Sequence, residues 1–307
     1  MKATRRAFLQ TIAVASAGAA LPGVAAAKPF KLRYLLNSAM YGEMPLEVIL
    51  PEVARTGSEA IDIWCKVHGN QREQIAAMGD DAFAALLQKH RVKMAVSTRY
   101  PLGPFGLGEE MAWLKKFGGG IIVTGSKGPK EPSGEAARAA MKEFIEQMKP
   151  HVAKAEENNV VIAIENHDKQ ALYHPDSLRY FAEFNRSKHL GVAFAFHHLH
   201  QWAGQIPALL RDLGNAHIPF IYFQEHSEGI RAKVAKEIEM QQMPGYGKLD
   251  YRPIVKALRD INYRGYVEIF MHPTPRGIPI LPTVAEISAA INKSRAYVEK
   301  CLKETTG

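Results

Sequence analysis

The chain has 307 residues, a formal net charge of +8 at pH 7, 12 histidines and only two cysteines. Two cysteines do not make a disulfide framework, and the moderate positive charge lies mostly on predicted helices rather than along a nucleic-acid groove. We therefore expect a large single domain without a nucleic-acid partner.

The first 27 residues are typical of an export signal. The arginine pair Arg5 and Arg6 is followed by the Ala-rich stretch Thr11–Ala20, and Ala25–Ala27 offers small residues for cleavage. The alternative is an uncleaved membrane-anchoring helix, but the apolar stretch is short for a bilayer span. We expect twin-arginine export to the periplasm, with no membrane association after cleavage.

Eight short apolar runs alternate with amphipathic stretches over the predicted mature chain, residues 28–307. The predicted strands are Leu32–Leu36, Ala60–Trp64, Lys93–Ser97, Gly120–Thr124, Val160–Ile164, Gly191–Phe196, Phe220–Phe223 and Tyr266–Phe270. The predicted helices are Pro45–Thr56, Asp80–His90, Ser133–Asn158, Asp176–Asn185, Gln205–Leu213, Tyr251–Ile261 and Val284–Lys303.

This alternation indicates a parallel sheet with right-handed crossovers, and continuously apolar strands suit a sheet buried on both faces. A doubly wound open sheet could use the same alternation. However, no Gly-rich dinucleotide loop follows the first strand. We therefore predict an α/β protein with a single-domain (β/α)8 TIM barrel.

Histidines collect where the apolar runs end. They are His68, His167, His197, His198, His200, His226 and His272. Histidine can be a base, an acid or a metal ligand near neutral pH, and barrel enzymes carry their catalytic residues at the C-terminal ends of the strands. These positions therefore indicate one functional rim.

Glu165 is the sharpest candidate on that rim. It follows the apolar strand Val160–Ile164, and neither neighbour in the sequence is a Lys or Arg that would neutralise it. A carboxylate at the mouth of an apolar barrel needs a metal, a cation or a substrate hydroxyl. The alternative is a glutamate held in a salt bridge at the barrel rim.

Three segments resemble one known family. Ile164-Glu165-Asn166 lies at the end of the fifth strand, and Pro244–Tyr251 contains the pattern Pro-Gly-x-Gly-x-x-Asp. Gly191–Leu199 contains the sixth strand and the exit His197-His198-Leu199. Together they resemble the sugar phosphate isomerase/epimerase family of xylose isomerase-like TIM barrels. The resemblance implies a divalent metal at the ends of strands five to eight. It also implies an isomerase, epimerase or lyase that moves a proton next to a sugar carbonyl.

The resemblance assigns Glu165 as a metal ligand and His198 as the histidine of the strand-six motif. The chain also departs from the family pattern. The usual Asp of strand six would stand at Ala195, and the usual Glu of strand eight near Phe270. The usual His of strand seven falls near Tyr222 or Gln224.

A rewired metal site is compatible with the strand period. Glu268 and His272 lie on the same side of the eighth strand, so both could face the barrel axis. The predicted ligands are Glu165, His198, Gln224 and Glu268, a mixed oxygen and nitrogen set that suits Mn, Co, Fe or Zn better than Mg alone. The alternative is a decayed site in which Glu268 is an internal salt-bridge partner.

The sequence thus predicts an exported, metal-dependent sugar isomerase, epimerase or lyase that acts on a small-molecule carbohydrate, including keto-sugars or glycosides. The predicted general base is His226, His167 or Glu268. The predicted substrate-binding residues are His272, Arg276, His200, Trp202 and His68. A catalytically silent barrel that binds carbohydrate is the alternative, favoured by Ala195 and Phe270. Pairing into a homodimer is compatible with both.

Overall fold

Eight parallel strands close into a barrel in a computed structural model that describes residues 30–305 of the chain. The strands are β1 (Arg33–Asn37), β2 (Ala60–Trp64), β3 (Met94–Thr98), β4 (Ile121–Gly125), β5 (Val161–Glu165), β6 (Leu190–Ala195), β7 (Phe220–Phe223) and β8 (Tyr266–Ile269). Residue Leu35 of β1 is in register with Ala60 of β2 and with Glu268 of β8, which closes the ring. The predicted (β/α)8 barrel is confirmed.

Continuous burial explains why the strands could be placed within one residue at each end. Every residue of β2, β3, β4, β6 and β7 is buried, because one face packs inside the barrel and the other packs on the helices. These five strands contain one charged residue, Asp62 in the middle of β2, and its Oδ2 accepts hydrogen bonds from the buried side chains of Trp64 and Thr98.

Ten helices surround the barrel within the described residues. They are α1 (Leu46–Arg55), α2 (Gln71–Met78), α3 (Asp80–His90), α4 (Gly108–Lys116), α5 (Gly134–Asn158), α6 (Pro175–Phe184), α7 (Ile206–His217), α8 (Lys236–Met240), α9 (Tyr251–Asp260) and α10 (Val284–Glu304). Each of the seven predicted helices is present. The sequence did not indicate α2, α4 or α8. Helix α2 buries only Gln71 and Ile75, and α8 has five residues, so neither carries a readable apolar stripe.

The connections at the C-terminal ends of the strands build the site. A loop follows β5, a run of 3-10 turns (Phe196–Gln205) follows β6, and irregular segments follow β7 and β8. Over residues 30–305, no helix has the length and apolar character needed to cross a bilayer. The predicted export signal, residues 1–27, lies outside the described residues.

Candidate active site at the C-terminal mouth of the barrel

A cavity of about 700 Å³ opens at the C-terminal ends of the strands. Aromatic residues, histidines and charged residues line it, among them Trp64, His68, Tyr100, Glu165, His167, Asp168, His197, His198, His200, His226, Arg231, Phe270, His272 and Arg276. This size and mixture are typical of small-molecule sites, in which apolar walls surround a few directed polar groups.

Glu165, His167 and His198 form a compact cluster in this cavity. Each offers one potential ligand atom, and these atoms all lie within 4.8 Å of one another. Glu165 Oε1 is 3.7 Å from His198 Nε2, and the Tyr100 hydroxyl donates a hydrogen bond to Glu165 Oε2. Burial raises the pKa of Glu165 to about 7. The carboxylate therefore gains from any cation that binds beside it.

Asp168 orients both imidazoles of the cluster. Its Oδ1 lies 3.1 Å from His167 Nδ1 and 3.0 Å from His198 Nδ1, and its Oδ2 accepts a hydrogen bond from Arg231. Hydrogen bonds from His167 and His198 hold the pKa of Asp168 well below its ordinary range. A carboxylate that holds the Nδ1 hydrogens leaves Nε2 free to bind a metal.

The pKa values of the two histidines in the cluster are shifted in opposite directions. Burial lowers the pKa of His198 to about 4. Burial also opposes protonation of His167, but its hydrogen bonds to Asp168 and the charge of Glu165 outweigh burial and raise its pKa. Two histidines and one carboxylate are a donor set that transition metals accept with positions left open for substrate. The cluster therefore fits a divalent metal ion.

Residues 50–295 match the family described as Xylose isomerase-like TIM barrel. The chain belongs to this family. No curated protein sequence matches it.

Solved structures of several proteins resemble this xylose isomerase-like barrel. The IOLI protein with a bound zinc atom is 17% identical, with 90% of this chain and 100% of that chain covered and a TM-score of 0.67. D-psicose 3-epimerase from Clostridium cellulolyticum H10 is 12% identical, with 88% and 99% covered and a TM-score of 0.64. The 3-keto-D-glucoside 4-epimerase YcjR from E. coli is 17% identical, with 88% and 100% covered and a TM-score of 0.60. At these identities the likeness concerns the fold.

The structure assembles the predicted metal ligands of this barrel only in part. Glu165 and His198 come together, and His167, which was predicted as a base, joins them. Gln224 is buried and donates a hydrogen bond to Gln242 Oε1 at 2.8 Å, outside the cavity lining. The prediction for Gln224 differs from the structure because that side chain packs against the segment that follows α8.

Glu268 does not reach the cavity either. Its side chain is fully buried, accepts a hydrogen bond from Asn37, and is subject to the charge of the neighbouring Asp62 carboxyl group. The strand period correctly turns Glu268 toward the barrel axis, but it lies two residues before Phe270, in the layer below the mouth. Neither the predicted ligand role nor the predicted base role of Glu268 is available at that depth.

Most of the predicted substrate-binding residues line the cavity. His68, His200, His272 and Arg276 do so, and His226 joins them. Trp202 does not, because its ring packs against Tyr173 and His174, with centroids 5.3 and 5.0 Å away. Burial lowers the pKa of His68 to about 4, and burial also lowers the pKa of His272 well below its ordinary range. Both rings are therefore neutral hydrogen-bonding groups at pH 7.

Sequence reasoning missed several residues of the site, among them Trp64, Tyr100, Asp168 and Arg231. Asp168 carried a readable signal, since it lies three residues after Glu165 in the same strand exit. Tyr100 and Arg231 carried none, because they reach the cluster from the exits of β3 and β7. Trp64 was assigned to a strand, and its position two residues after Asp62 turns it into the barrel mouth.

Proposed function

We propose that the protein is a sugar isomerase or epimerase that holds a divalent metal ion with Glu165, His167 and His198 and moves a proton next to a sugar carbonyl. The observation that carries the proposal is the Glu165–His167–His198 cluster, oriented by Asp168 and facing a cavity of about 700 Å³. The epimerases and the zinc-containing protein among its structural neighbours support the same chemistry.

The bound ion would supply Lewis acidity at a carbonyl or hydroxyl oxygen of the sugar. Within the chain, Asp168 keeps the two imidazoles in one tautomer and one orientation. The Tyr100 hydroxyl holds the second oxygen of Glu165. These contacts fix the ligand atoms before substrate arrives, which reduces the reorganisation that binding requires.

His226 is the base that the geometry supports best. It lies in the cavity wall and is exposed there, and burial together with the neighbouring His200 and Arg231 lowers its pKa. A neutral imidazole at pH 7 can accept the proton from the carbon next to the carbonyl. His167 is committed to Asp168 and the cluster, so we assign it to metal binding instead.

The other walls suit a carbohydrate. Trp64 and Phe270 pack with ring centroids 4.9 Å apart and give the cavity an apolar face for a sugar ring. Arg276 is held in place because it donates to the carbonyl oxygens of Pro273 and Ile230. We place it with His68 and His272 as a donor to sugar oxygens.

Two further parts of the proposal rest on sequence alone. The twin-arginine pattern of residues 1–27 supports export to the periplasm, where unphosphorylated sugars are the expected substrates. If the substrate is a keto-glycoside, removal of the same proton can break the adjacent C–O bond. The C–H electron pair then forms a C=C bond, and the aglycone leaves with a proton as an alcohol.

Proton–deuterium exchange tests the proposal directly. Protein loaded with Mn²⁺ or Zn²⁺ is incubated in D₂O with free aldoses, ketoses and keto-glycosides, and ¹H NMR follows each carbon-bound proton. We expect exchange at one carbon next to a carbonyl, and a loss of at least about 100-fold in His226→Asn. The matched control is His151→Asn, which makes the same substitution on α5, outside the cavity lining, and should retain most of the proton exchange. Binding of sugars without any exchange would favour the silent barrel instead.

A further inference from the structure

A second cavity of about 600 Å³ opens beside the first. The two cavities share His200 and His226, whose rings stack with centroids 3.8 Å apart and an angle of 15° between their planes. The exit of β6 divides between them, since Phe196 lines the second cavity and His197 and His198 line the first. One stacked pair of imidazoles thus separates two neighbouring spaces.

The second cavity differs from the first in its charge. Its apolar lining includes Phe196, Ile206, Ile238 and Leu249. Its ionisable lining includes Glu225, Glu228 and Asp250 but only one lysine, Lys248. The first cavity also has three acids, Glu131, Glu165 and Asp168, but its lining includes three permanent cations, Lys169, Arg231 and Arg276, that balance them. An acidic rim disfavours a phosphate or carboxylate in the second cavity and leaves a neutral ligand as the best fit.

Glu225 presents an unsatisfied acceptor in this lining. The residue is only 3% exposed, and its Oε2 accepts a hydrogen bond from the Leu249 backbone N–H at 2.8 Å. Its Oε1 is buried and has no hydrogen-bond partner. A buried carboxylate oxygen without a partner is costly, so a ligand hydroxyl that donates to it would be favoured.

The Pro-Gly-x-Gly-x-x-Asp segment closes this cavity, and the proposed chemistry does not use that segment. A Cβ atom at Gly247 would lie 2.1 Å from Glu225 Oε2 and 2.4 Å from the Gln241 carbonyl oxygen. Only glycine lets the turn approach so closely. Residues 247–250 then form one wall, with Asp250 beginning α9 as its cap.

We propose that the second cavity binds a neutral, hydroxylated second ring of a glycoside whose reacting sugar occupies the first cavity. An apolar wall with one directed acceptor is the arrangement that recognises a sugar ring, which has both C–H faces and hydroxyl donors. The placement of the reacting sugar rests on the proposed function. The second ring itself is recognised without any chemical step.

Calorimetric titration of the full chain tests this inference. The probes are glucose, the disaccharides cellobiose and maltose, and phenyl glucoside, all at pH 8, above the pKa of about 7 that burial gives Glu225. We expect at least one disaccharide to bind about tenfold more tightly than glucose. Ala203→Trp fills the second cavity from its lining and should abolish that gain. The matched control, Ala208→Trp, alters an exposed position outside that lining in α7 and should preserve it.

Glu225→Gln provides an independent variant, since it keeps the side-chain size and should reduce the gain by replacing an acceptor oxygen. The inference would be overturned if glucose and both disaccharides bound equally well, or if no probe bound. It would also be overturned if the gain in affinity persisted in Ala203→Trp or occurred with phenyl glucoside alone. Because binding requires no turnover, a disaccharide can still bind more tightly than glucose if no proton exchange is observed. Conversely, exchange on free sugars without a disaccharide gain overturns only the second-ring site.

Discussion

Two groups of carboxylates lie near the C-terminal ends of the strands, and their neighbours differ. Glu165 and Asp168 face the cavity and are surrounded by His167, His198 and Arg231. Asp62 and Glu268 lie inside the barrel, where Asn37, Trp64 and Thr98 donate hydrogen bonds to them. The first group has imidazole and guanidinium neighbours, whereas the second has only neutral donors and a second acid.

The difference shows that depth along the barrel axis decides what a carboxylate can do. Burial raises the pKa of Asp62 to about 7, and burial together with the Asp62 charge raises the pKa of Glu268 well above its ordinary range. Two adjacent buried carboxyl groups therefore keep at least one proton between them at neutral pH. The interior pair supports Trp64, whose Nε1 donates to Asp62 Oδ2 at 2.7 Å, whereas the cavity cluster is the site that we propose for the metal.

Substituting one acid in each group should give the largest difference in proton-exchange rate. Glu165→Gln should reduce proton exchange by at least about 100-fold, because it removes the charged ligand of the cluster. Glu268→Gln should leave the exchange rate within about threefold of wild type, because that side chain contacts neither cavity nor ligand. Both rates are measured by ¹H NMR in D₂O. Similar losses of proton exchange in the two variants would show that the two groups do not differ in function.

Asp168→Asn should weaken metal binding about 10- to 100-fold, because the amide no longer provides the negative charge that orients both imidazoles. The affinity is measured by competition with a chromophoric chelator. Asp176→Asn is the matched control, since Asp176 also lies near a histidine nitrogen, 3.2 Å from His174 Nδ1, outside the cavity lining. An unchanged affinity in Asp168→Asn would show that the imidazoles are oriented without this carboxylate.

The smallest expected effect concerns stability and pH. Both interior carboxyl groups have raised pKa values in the folded protein. Their protonated forms therefore stabilise the fold fully below about pH 4, and this contribution to the free energy of unfolding is lost as pH rises through about 7. Glu268→Gln keeps an acceptor for Asn37 and provides a donor to Asp62. We expect it to be about 1–2 kcal/mol more stable than wild type at pH 8 and similar at pH 5.

Thermal unfolding from pH 5 to pH 8 measures this difference. Glu146→Gln is the control, since Glu146 is exposed and pairs with Lys149 on the surface. It should change stability by less than about 0.5 kcal/mol at any of these pH values. A Glu268→Gln variant that loses stability equally at pH 5 and pH 8 would show that Glu268 is ionised and needed as a charge.

Much of the fold could be predicted from the sequence, because continuous burial marks each strand and the strand–helix alternation defines the topology. Glu165 and His198 were also within reach, since each follows an apolar run directly. The strand period gave the correct side for Glu268 but gave no information on depth. Tyr100 and Arg231 required the three-dimensional path of other loops, which no local pattern encodes.

We place Glu165, and not Glu268, in a metal site. Elemental analysis of the purified wild-type protein, Glu165→Gln and Glu268→Gln, each after incubation with the same divalent ion and removal of the excess, tests this placement most directly. We expect about one ion per chain in the wild type and in Glu268→Gln, and much less than one in Glu165→Gln. A full ion in Glu165→Gln, or its loss in Glu268→Gln, would show that Glu165 is not the carboxylate that binds the metal.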